Sequence, residues 1–295
     1  KIGTRKTADT SLAEMARMMV GREVLLSVMR TPREPGKPAL SVRDLSLVGD
    51  RKRHSLHGIT FDVRSGEVLG VAGVEGNGQT ELIEVIAGLV PPSEGEIRLK
   101  GRPITTDSPA RRLAEGLAHI PPDRRKQGLI LSFSVRDNLV LGRHREKRFR
   151  RWLDLKHKEV RSFAHSCIEA QDIRPRDPHV QVSKLSGGNQ QKVILARELS
   201  RGAAFIIAAH PTRGVDIGAI ETIHRQILDQ REQGCAILLV SADLSEILSL
   251  SDRIAVLYEG RFVAVLDSRE ATEEKLGLLM AGAKSESADV RTGQP

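Results

Sequence analysis

The sequence predicts an α/β chain with a parallel sheet at its centre, and three stretches carry that prediction. The first is a short apolar run, Val68–Ala72, which enters a glycine-rich turn, Gly73-Val-Glu-Gly-Asn-Gly-Gln-Thr80, and leaves it as a helix running to about Ala87. The second is Ala203–Ala208, an unbroken apolar run without alternation, the pattern of a strand buried on both faces. The third is Leu185-Ser-Gly-Gly-Asn-Gln-Gln-Lys192, where Ser186 can cap a helix whose first residues are glycines. Strand–turn–helix units in series place helices on the faces of a parallel sheet.

Bulk properties narrow the function classes. At 295 residues the chain is long enough for one large domain or two small ones. Hydrophobic residues at 39% support a core, and aromatics at 3% make that core aliphatic. Cys167 and Cys235 each sit in an apolar-patterned segment and read as buried free thiols of a reducing compartment. The longest apolar runs, such as Cys235–Val240, are too short to cross a bilayer, and the first residues do not read as a signal peptide. A soluble, cytoplasmic protein is expected. The net charge of +8 invites a nucleic-acid hypothesis, with its densest run at Arg143–Arg151. No aromatic stacking box, helix-turn-helix pattern or zinc-ligand spacing accompanies that run. It reads as a solvated helix face or one near anionic lipid heads, and no nucleic-acid partner is expected.

In chain order, residues 1–31 contain an amphipathic stretch, Ser11–Val20, closing on Gly21. A similar helix, Thr272–Ala281, closes on Gly282, and at one constant offset Met15 matches Leu276, Met18 matches Leu279 and Met19 matches Met280. Two amphipathic helices can match by chance; read as a repeat, residues 1–31 are the tail of a preceding, similar unit. Residues 32–39 are a stiff, proline-rich linker. Residues 40–282 form the main unit, and residues 283–295 a small, polar tail expected to be disordered. Strands are expected at Leu40–Val48, Gly58–Val63 and Val68–Ala72, with Gly66-Glu67 turning into the last. The stretch Val48–Leu56 has no Phe, Tyr or Trp, and its one ring, His54, reads as a surface residue.

The turn Gly73–Thr80 matches G-x4-G-K-[ST] at every fixed position except the lysine, which is Gln79. Gly73, Gly76 and Gly78 can form a nest of backbone N–H groups, with Asn77, Gln79, Thr80 and Glu81 around it, and Thr80 can reach a Mg2+ ion. The missing part is the lysine point charge on the phosphates, and a neutral amide donates a bond roughly half as strong. Next come a hairpin-like turn at Gly95–Gly101 and a helix near Pro109–Glu115. Residues about 123–190 read as helical, with amphipathic segments Val135–Leu141 and Lys156–Ile173. After the Leu185–Lys192 turn, the strand Ala203–Ala208 runs into Ala209-His210-Pro211-Thr212, and Arg213-Gly-Val-Asp216 precedes a helix Ile217–Gln233. The strand Ala236–Val240 leads into Ser241-Ala242-Asp243, then a helix Leu244–Leu250 and the strands Ile254–Tyr258 and Phe262–Leu266.

With these motifs in this order, the chain resembles the ATP-binding-cassette (ABC) ATPases, and the Gln-Gln-Lys ending resembles the branch that powers nucleoside and sugar importers. The resemblance covers nearly everything from Leu40 to Gly282. It implies a P-loop NTPase with the ABC ATPase fold: a RecA-like core, an antiparallel β subdomain and an α-helical subdomain. In the family, two units pair face to face, and the signature loop of one grips the γ-phosphate of ATP held by the other. Ser186, Gly187, Gly188 and Gln190 are then the signature residues acting in trans, and Asp216 is an interface residue of the D-loop, compatible with its local role of starting a helix. The resemblance also implies Asp-Glu-Pro where this chain has Ala209-His210-Pro211, and a γ-phosphate-sensing histidine where it has Ala242. The expected Q-loop glutamine is replaced by Pro121 and Pro122. His210 could in principle serve as a base near neutral pH.

Four positions that should touch phosphate, metal or water are therefore changed: Gln79, Ala209, His210 and Ala242. The resemblance implies the second ATPase unit of a tandem importer subunit on the inner face of the cell membrane. Its expected partners are the first unit of the same polypeptide, the transmembrane permease subunits and, indirectly, a substrate-binding protein. ATP and Mg2+ are expected mainly at the composite site. A pseudo-ATPase acting as a structural module and a soluble nucleic-acid-associated ABC protein are the alternatives.

Overall fold

Two sheets share one side of the molecule's core, and the larger divides that core in two. The computed structural model describes residues 30–31, 33–49, 54–152 and 154–283. The helix expected at Ser11–Val20 and the tail beyond Ala283 lie outside them. The first sheet is antiparallel, in the order β2 (Leu56–Arg64), β1 (Pro38–Leu47), β4 (Glu94–Leu99) and β5 (Arg102–Pro103). The second has six strands, in the order β12 (Arg261–Asp267), β11 (Arg253–Tyr258), β3 (Val68–Ala72), β10 (Ala236–Val240), β9 (Phe205–Ala209) and β6 (Leu117–Ile120). All its pairings are parallel except the edge strand β12 on β11.

The parallel strands are apolar on both sides because each side faces a core. In β9, Ile206 and Ala208 join one cluster while Phe205, Ile207 and Ala209 join the other. In β10, Ile237 and Leu239 alternate with Ala236, Leu238 and Val240 in the same way. The antiparallel sheet packs into the second cluster together with α1 (Gln79–Ala87), so β3 is held from both sides where it enters the glycine-rich turn. The remaining helices are α2 (Pro109–Ala114), α3 (Val135–Leu139), α4 (His157–Ala170), α5 (Gly187–Leu199), α6 (Ile217–Glu232), α7 (Leu244–Leu250) and α8 (Glu273–Met280).

Three expectations are corrected. Residues 95–99 form most of β4 rather than a turn, because Ile97 and Leu99 alternate with charged residues and pair with Val42 and Leu40 of β1. The stretch 123–190 is less helical than its pattern. It holds a π-helical turn at Arg124–Gly128, α3, a two-stranded ribbon of β7 (Arg150–Arg151) and β8 (Asp154–Leu155), α4, and a 3-10 turn at Val182–Lys184. The basic run is not helical: it forms turns leading into β7, exposed along most of its length, with Arg143 and Phe149 as the buried residues. Arg143 is 5% exposed. Its guanidinium lies 4.8 Å from the Phe163 ring centre and donates to Glu146 at 2.8 Å and to Ser200 Oγ at 2.7 Å. Cys167 and Cys235 are buried and unpaired, as expected, and burial pushes their thiols up to about 11 and about 12.

Candidate functional site

The carboxyl ends of β3, β10, β9 and β6 lie side by side in the sheet, so the segments beginning at Gly73, Ser241, His210 and Pro121 leave from one edge. That edge is where open α/β sheets bind ligands. The sequence motifs converge there, but not all of them face outward.

The turn after β3 is closed by its own residues. Gly76 and Gly78 take φ of 95° and 107°, conformations that a side chain would strain. Gln79 is 9% exposed. Its Nε2 donates to Val74 O at 2.9 Å and its Oε1 accepts the Asn77 N–H at 3.1 Å. A Cβ on Gly73 would lie 2.4 Å from that Nε2, so this glycine makes room for the amide. Asn77 is spent as well: its Nδ2 donates to Val74 O at 3.1 Å and its Oδ1 accepts the Glu259 N–H at 2.9 Å. Glu81 is buried and accepts the His54 N–H at 3.0 Å, pinning the segment before β2 to α1. Gln79 and Glu81, expected to face a nucleotide, are here bonded to backbone groups of the chain. Thr80 is exposed at the start of α1, and the His54 ring is exposed beside Gly76.

The metal and base positions do not fit their expected chemistry. Ala209 is fully buried and offers no oxygen at the end of β9. The exposed side-chain oxygens of the turn itself are those of Glu75 and Thr80, and no carboxylate stands at the end of β9 beside them. His210 stands at φ 46°, and its Nδ1 accepts the Ala242 N–H in a long 3.4 Å contact. With Nδ1 accepting there, the neutral ring carries its proton on Nε2. Burial, then Arg213, holds its pKa below the usual histidine value, against a smaller upward pull from Glu246 and Glu75. Among the described residues no group of three His, Cys, Asp or Glu side chains could hold a metal.

The signature turn is the part left open. Ser186 caps α5, its Oγ accepting the Asn189 N–H at 3.4 Å and the Asn189 Nδ2–H at 3.0 Å. Asn189 Oδ1 in turn accepts the Arg174 N–H at 2.8 Å. Ser186, Gly188, Asn189, Lys192 and Asp216 line a cleft of about 420 Å³. The first-turn N–H groups of a helix lack intrahelical acceptors and lie at its positive end, which suits an anion. Asp216 caps α6 through the Ala219 N–H at 2.9 Å, and its Oδ2 lies 3.4 Å from where a Gly188 Cβ would stand. Gln190 is a correction: it is 5% exposed and its amide donates inward to Val182 O at 3.0 Å and Leu185 O at 3.3 Å. It shapes the turn from within. Asn189, passed over in the sequence, holds the cleft position instead. Its signal was there, as an amide three residues after a capping serine.

Two further groups were missed. Gln191 is buried and donates to Pro211 O at 2.8 Å, tying α5 to the segment after β9. Glu246 is buried in α7 and accepts from Thr212 Oγ1 at 2.8 Å while pairing with His224 Nε2 at 3.0 Å. A glutamate on the inward face of an apolar helix was the available signal.

Comparison with known proteins agrees with this geometry. Residues 56–213 match the family described as ABC transporter. The guanosine import ATP-binding protein NupO of Bacillus subtilis is 41% identical over 99% of this chain and 57% of its own length. The glucose import ATP-binding protein TsgD13 of Haloferax volcanii is 46% identical over 95% of this chain and 52% of its own length. The chain thus spans about half the length of the curated relatives it matches. A nucleotide-free ATP-binding cassette from an ABC transporter superposes with a TM-score of 0.67 at 22% identity, covering 82% of this chain and 95% of that one. With its fold and more than half of its length matched, this chain belongs to the ABC transporter family.

Proposed function

We propose that this chain is the second ATP-binding unit of an importer for nucleosides or simple sugars, and that it lends its signature turn to ATP held by the first unit of the same polypeptide. One contrast carries the reading: the chain's own phosphate loop is filled by Gln79, while the turn Ser186–Gly188 opens on a cleft. A phosphate entering the loop must displace two hydrogen bonds, each worth roughly 1 kcal/mol net, and finds no lysine in return. Ser186 and the N–H groups of Gly187 and Gly188 would meet the partner's γ-phosphate, and Asp216 would lie along the interface. The lysine, aspartate and glutamate of the working site belong, on this reading, to the first unit, as does its Mg2+.

The substrate class rests on the relatives, which are named for guanosine, glucose and nucleoside import. The transmembrane permease subunits are the docking partners on the inner face of the membrane, with a substrate-binding protein acting through them. Among the described residues no helix is long and apolar enough to cross a membrane.

The test is ATP hydrolysis by the two-unit protein with and without Ser186→Arg. The rate is expected to fall about 100-fold or more, as for loss of a transition-state phosphate contact. An unchanged rate would leave the chain as a structural module docked to the permease. ATP titration of this unit alone should find no Mg2+-dependent binding in the micromolar range, and such binding would contradict the closed loop.

A further inference from the structure

We infer that Arg124 is a positioning residue for the composite site, holding the signature turn in register with the segment Arg213–Asp216. The inference rests on the trans role proposed above. Arg124 opens the π-helical turn just beyond β6, and the Asp123 carboxylate caps that turn by accepting the N–H groups of Arg125 at 2.9 Å and Lys126 at 3.0 Å. The backbone of Arg124 is thereby fixed at the sheet's carboxyl edge. From there its guanidinium crosses to the loop after β9, where Nη1 donates to Arg213 O at 2.8 Å.

Two glycines from separate motifs make room for this one group. A Cβ on Gly187 would lie 2.6 Å from Arg124 Nη2, and a Cβ on Gly214 would lie 2.9 Å from Nη1 and 3.2 Å from Nη2. Both are closer than non-bonded carbon and nitrogen tolerate, so a side chain at either position expels the guanidinium. Gly187 is the first residue of α5, so the helix start, the arginine plate and the Arg213 carbonyl are stacked in direct contact. A planar guanidinium suits such a slot, and a lysine ammonium could replace the hydrogen bond but not the plate.

The arrangement has a cost that folding alone does not explain. The cation lies beside the positive end of α5, and its Nε is shut away from water without a hydrogen-bond partner among the described residues. What it secures is the spacing between the Gly187 backbone and the Arg213–Asp216 segment, the two parts of this chain that the proposed partner site would use. Gln191 on Pro211 O is the neighbouring tie between the same segments, set one turn deeper. Without Arg124 the outer edge of the turn loses its spacer, and displacement of a reacting contact by about 1 Å can cost about 100-fold in rate.

The experiment uses the two-unit protein and compares Arg124→Met, Arg124→Lys and Gly214→Ala with Ser186→Arg as the control. Arg124→Met should lower kcat by roughly tenfold or more. KM for ATP should stay within about twofold, because no ground-state contact to ATP is removed. The melting temperature should stay within about 2 °C, because the residue is half-exposed. Arg124→Lys should recover part of kcat, and Gly214→Ala, which adds backbone strain at φ 67° to ejection of the guanidinium, should lose at least as much as Arg124→Met. Unchanged kcat in Arg124→Met overturns the inference; should that variant melt early, unchanged kcat in Arg124→Lys and Gly214→Ala overturns it equally. Loss of activity in Ser186→Arg alone refutes the role of Arg124 and leaves the trans reading standing, whereas an inert Ser186→Arg removes both.

Discussion

At the scale of the residue, the side chains that matter most are those turned away from where their type points. His119 lies on β6, half-buried, with an Nε2 shut off from water and lacking a hydrogen-bond partner among the described residues. Burial drives its pKa from 6.5 down to about 4, with Glu198 pulling upward and Arg197 downward. A histidine whose folded pKa is depressed contributes stability that is complete above its unfolded pKa and is lost as pH falls toward the folded one. The window is therefore between 6.5 and about 4, and the shift is worth about 3 kcal/mol. His119→Phe removes the titration without leaving a partner unpaired. Its stability should match the parent at neutral pH and exceed it by about 2 kcal/mol near pH 4.5 in urea unfolding; equal acid sensitivity would place the loss elsewhere. The same scale shows the limit of the sequence. The absence of a lysine, two acids and a histidine at Gln79, Ala209, His210 and Ala242 is plain in one dimension. Which way an amide or carboxylate turns is not. Gln79, Glu81 and Gln190 all bond to backbone groups within the chain, and those partners, the Asn77 and His54 N–H donors and the Val182 carbonyl acceptor, are placed only by the folded turns.

At the scale of the element, boundaries were legible where one physical signal dominates. The strand Ala236–Val240 and the helix Leu244–Leu250 fall where expected, the first as an unbroken apolar run and the second behind Asp243, whose carboxylate caps it. β4 was misread because Gly95 and Gly101 suggested a turn while the pairing of β4 with β1 decided otherwise. Helix α1 has an end that the sequence marks with Gly88 but that the glycine caps only in part. It begins at Gly78 without a side-chain cap and ends at Gly88 with φ 78°, so its last carbonyls need outside donors. Arg112 of α2, 1% exposed, supplies them: Nη1 donates to Val85 O and Ile86 O, each at 2.7 Å, while Nη2 reaches Thr105 O at 2.7 Å and Nε reaches Asp107 O at 3.1 Å. Desolvation lowers its pKa from 12.5, and the carbonyl dipoles at a helix C-terminus offset that burial. Arg112→Met keeps much of the volume and takes the donor from Ile86 O, Thr105 O and Asp107 O, while Val85 O keeps the Gly88 N–H at 3.1 Å. A loss of about 3 kcal/mol or more is expected in urea unfolding, from charge-assisted bonds broken in a dry site. A loss under about 1 kcal/mol would mean that water replaces the guanidinium, and that α1 holds its end without help.

At the scale of the whole molecule, the question is what a net charge of +8 does once the chain has folded. Nonspecific binding to a duplex needs cations gathered along one face, each releasing counterions from a phosphate. Folding disperses them instead. Arg43 pairs with Asp62 on the antiparallel sheet, Arg136 with Asp137 on α3, Arg231 with Asp252 beneath β11, and Arg269 with Asp267 after β12. The densest basic run is partly consumed, since Arg143 and Arg148 both lie within about 5 Å of the Phe163 ring and Arg143 is also bonded to Glu146. Surface ion pairs of this kind add little to stability, but each weakens the local field of its own cation. The edge of the parallel sheet carries no aromatic platform on which bases could stack. Fluorescence anisotropy with a labelled duplex near 0.15 M salt should therefore give a dissociation constant weaker than about 100 µM, the feeble end of nonspecific binding. Affinity in the nanomolar range that falls steeply with added salt would overturn this reading. It would restore the nucleic-acid alternative and require a basic surface assembled by parts of the protein beyond the described residues.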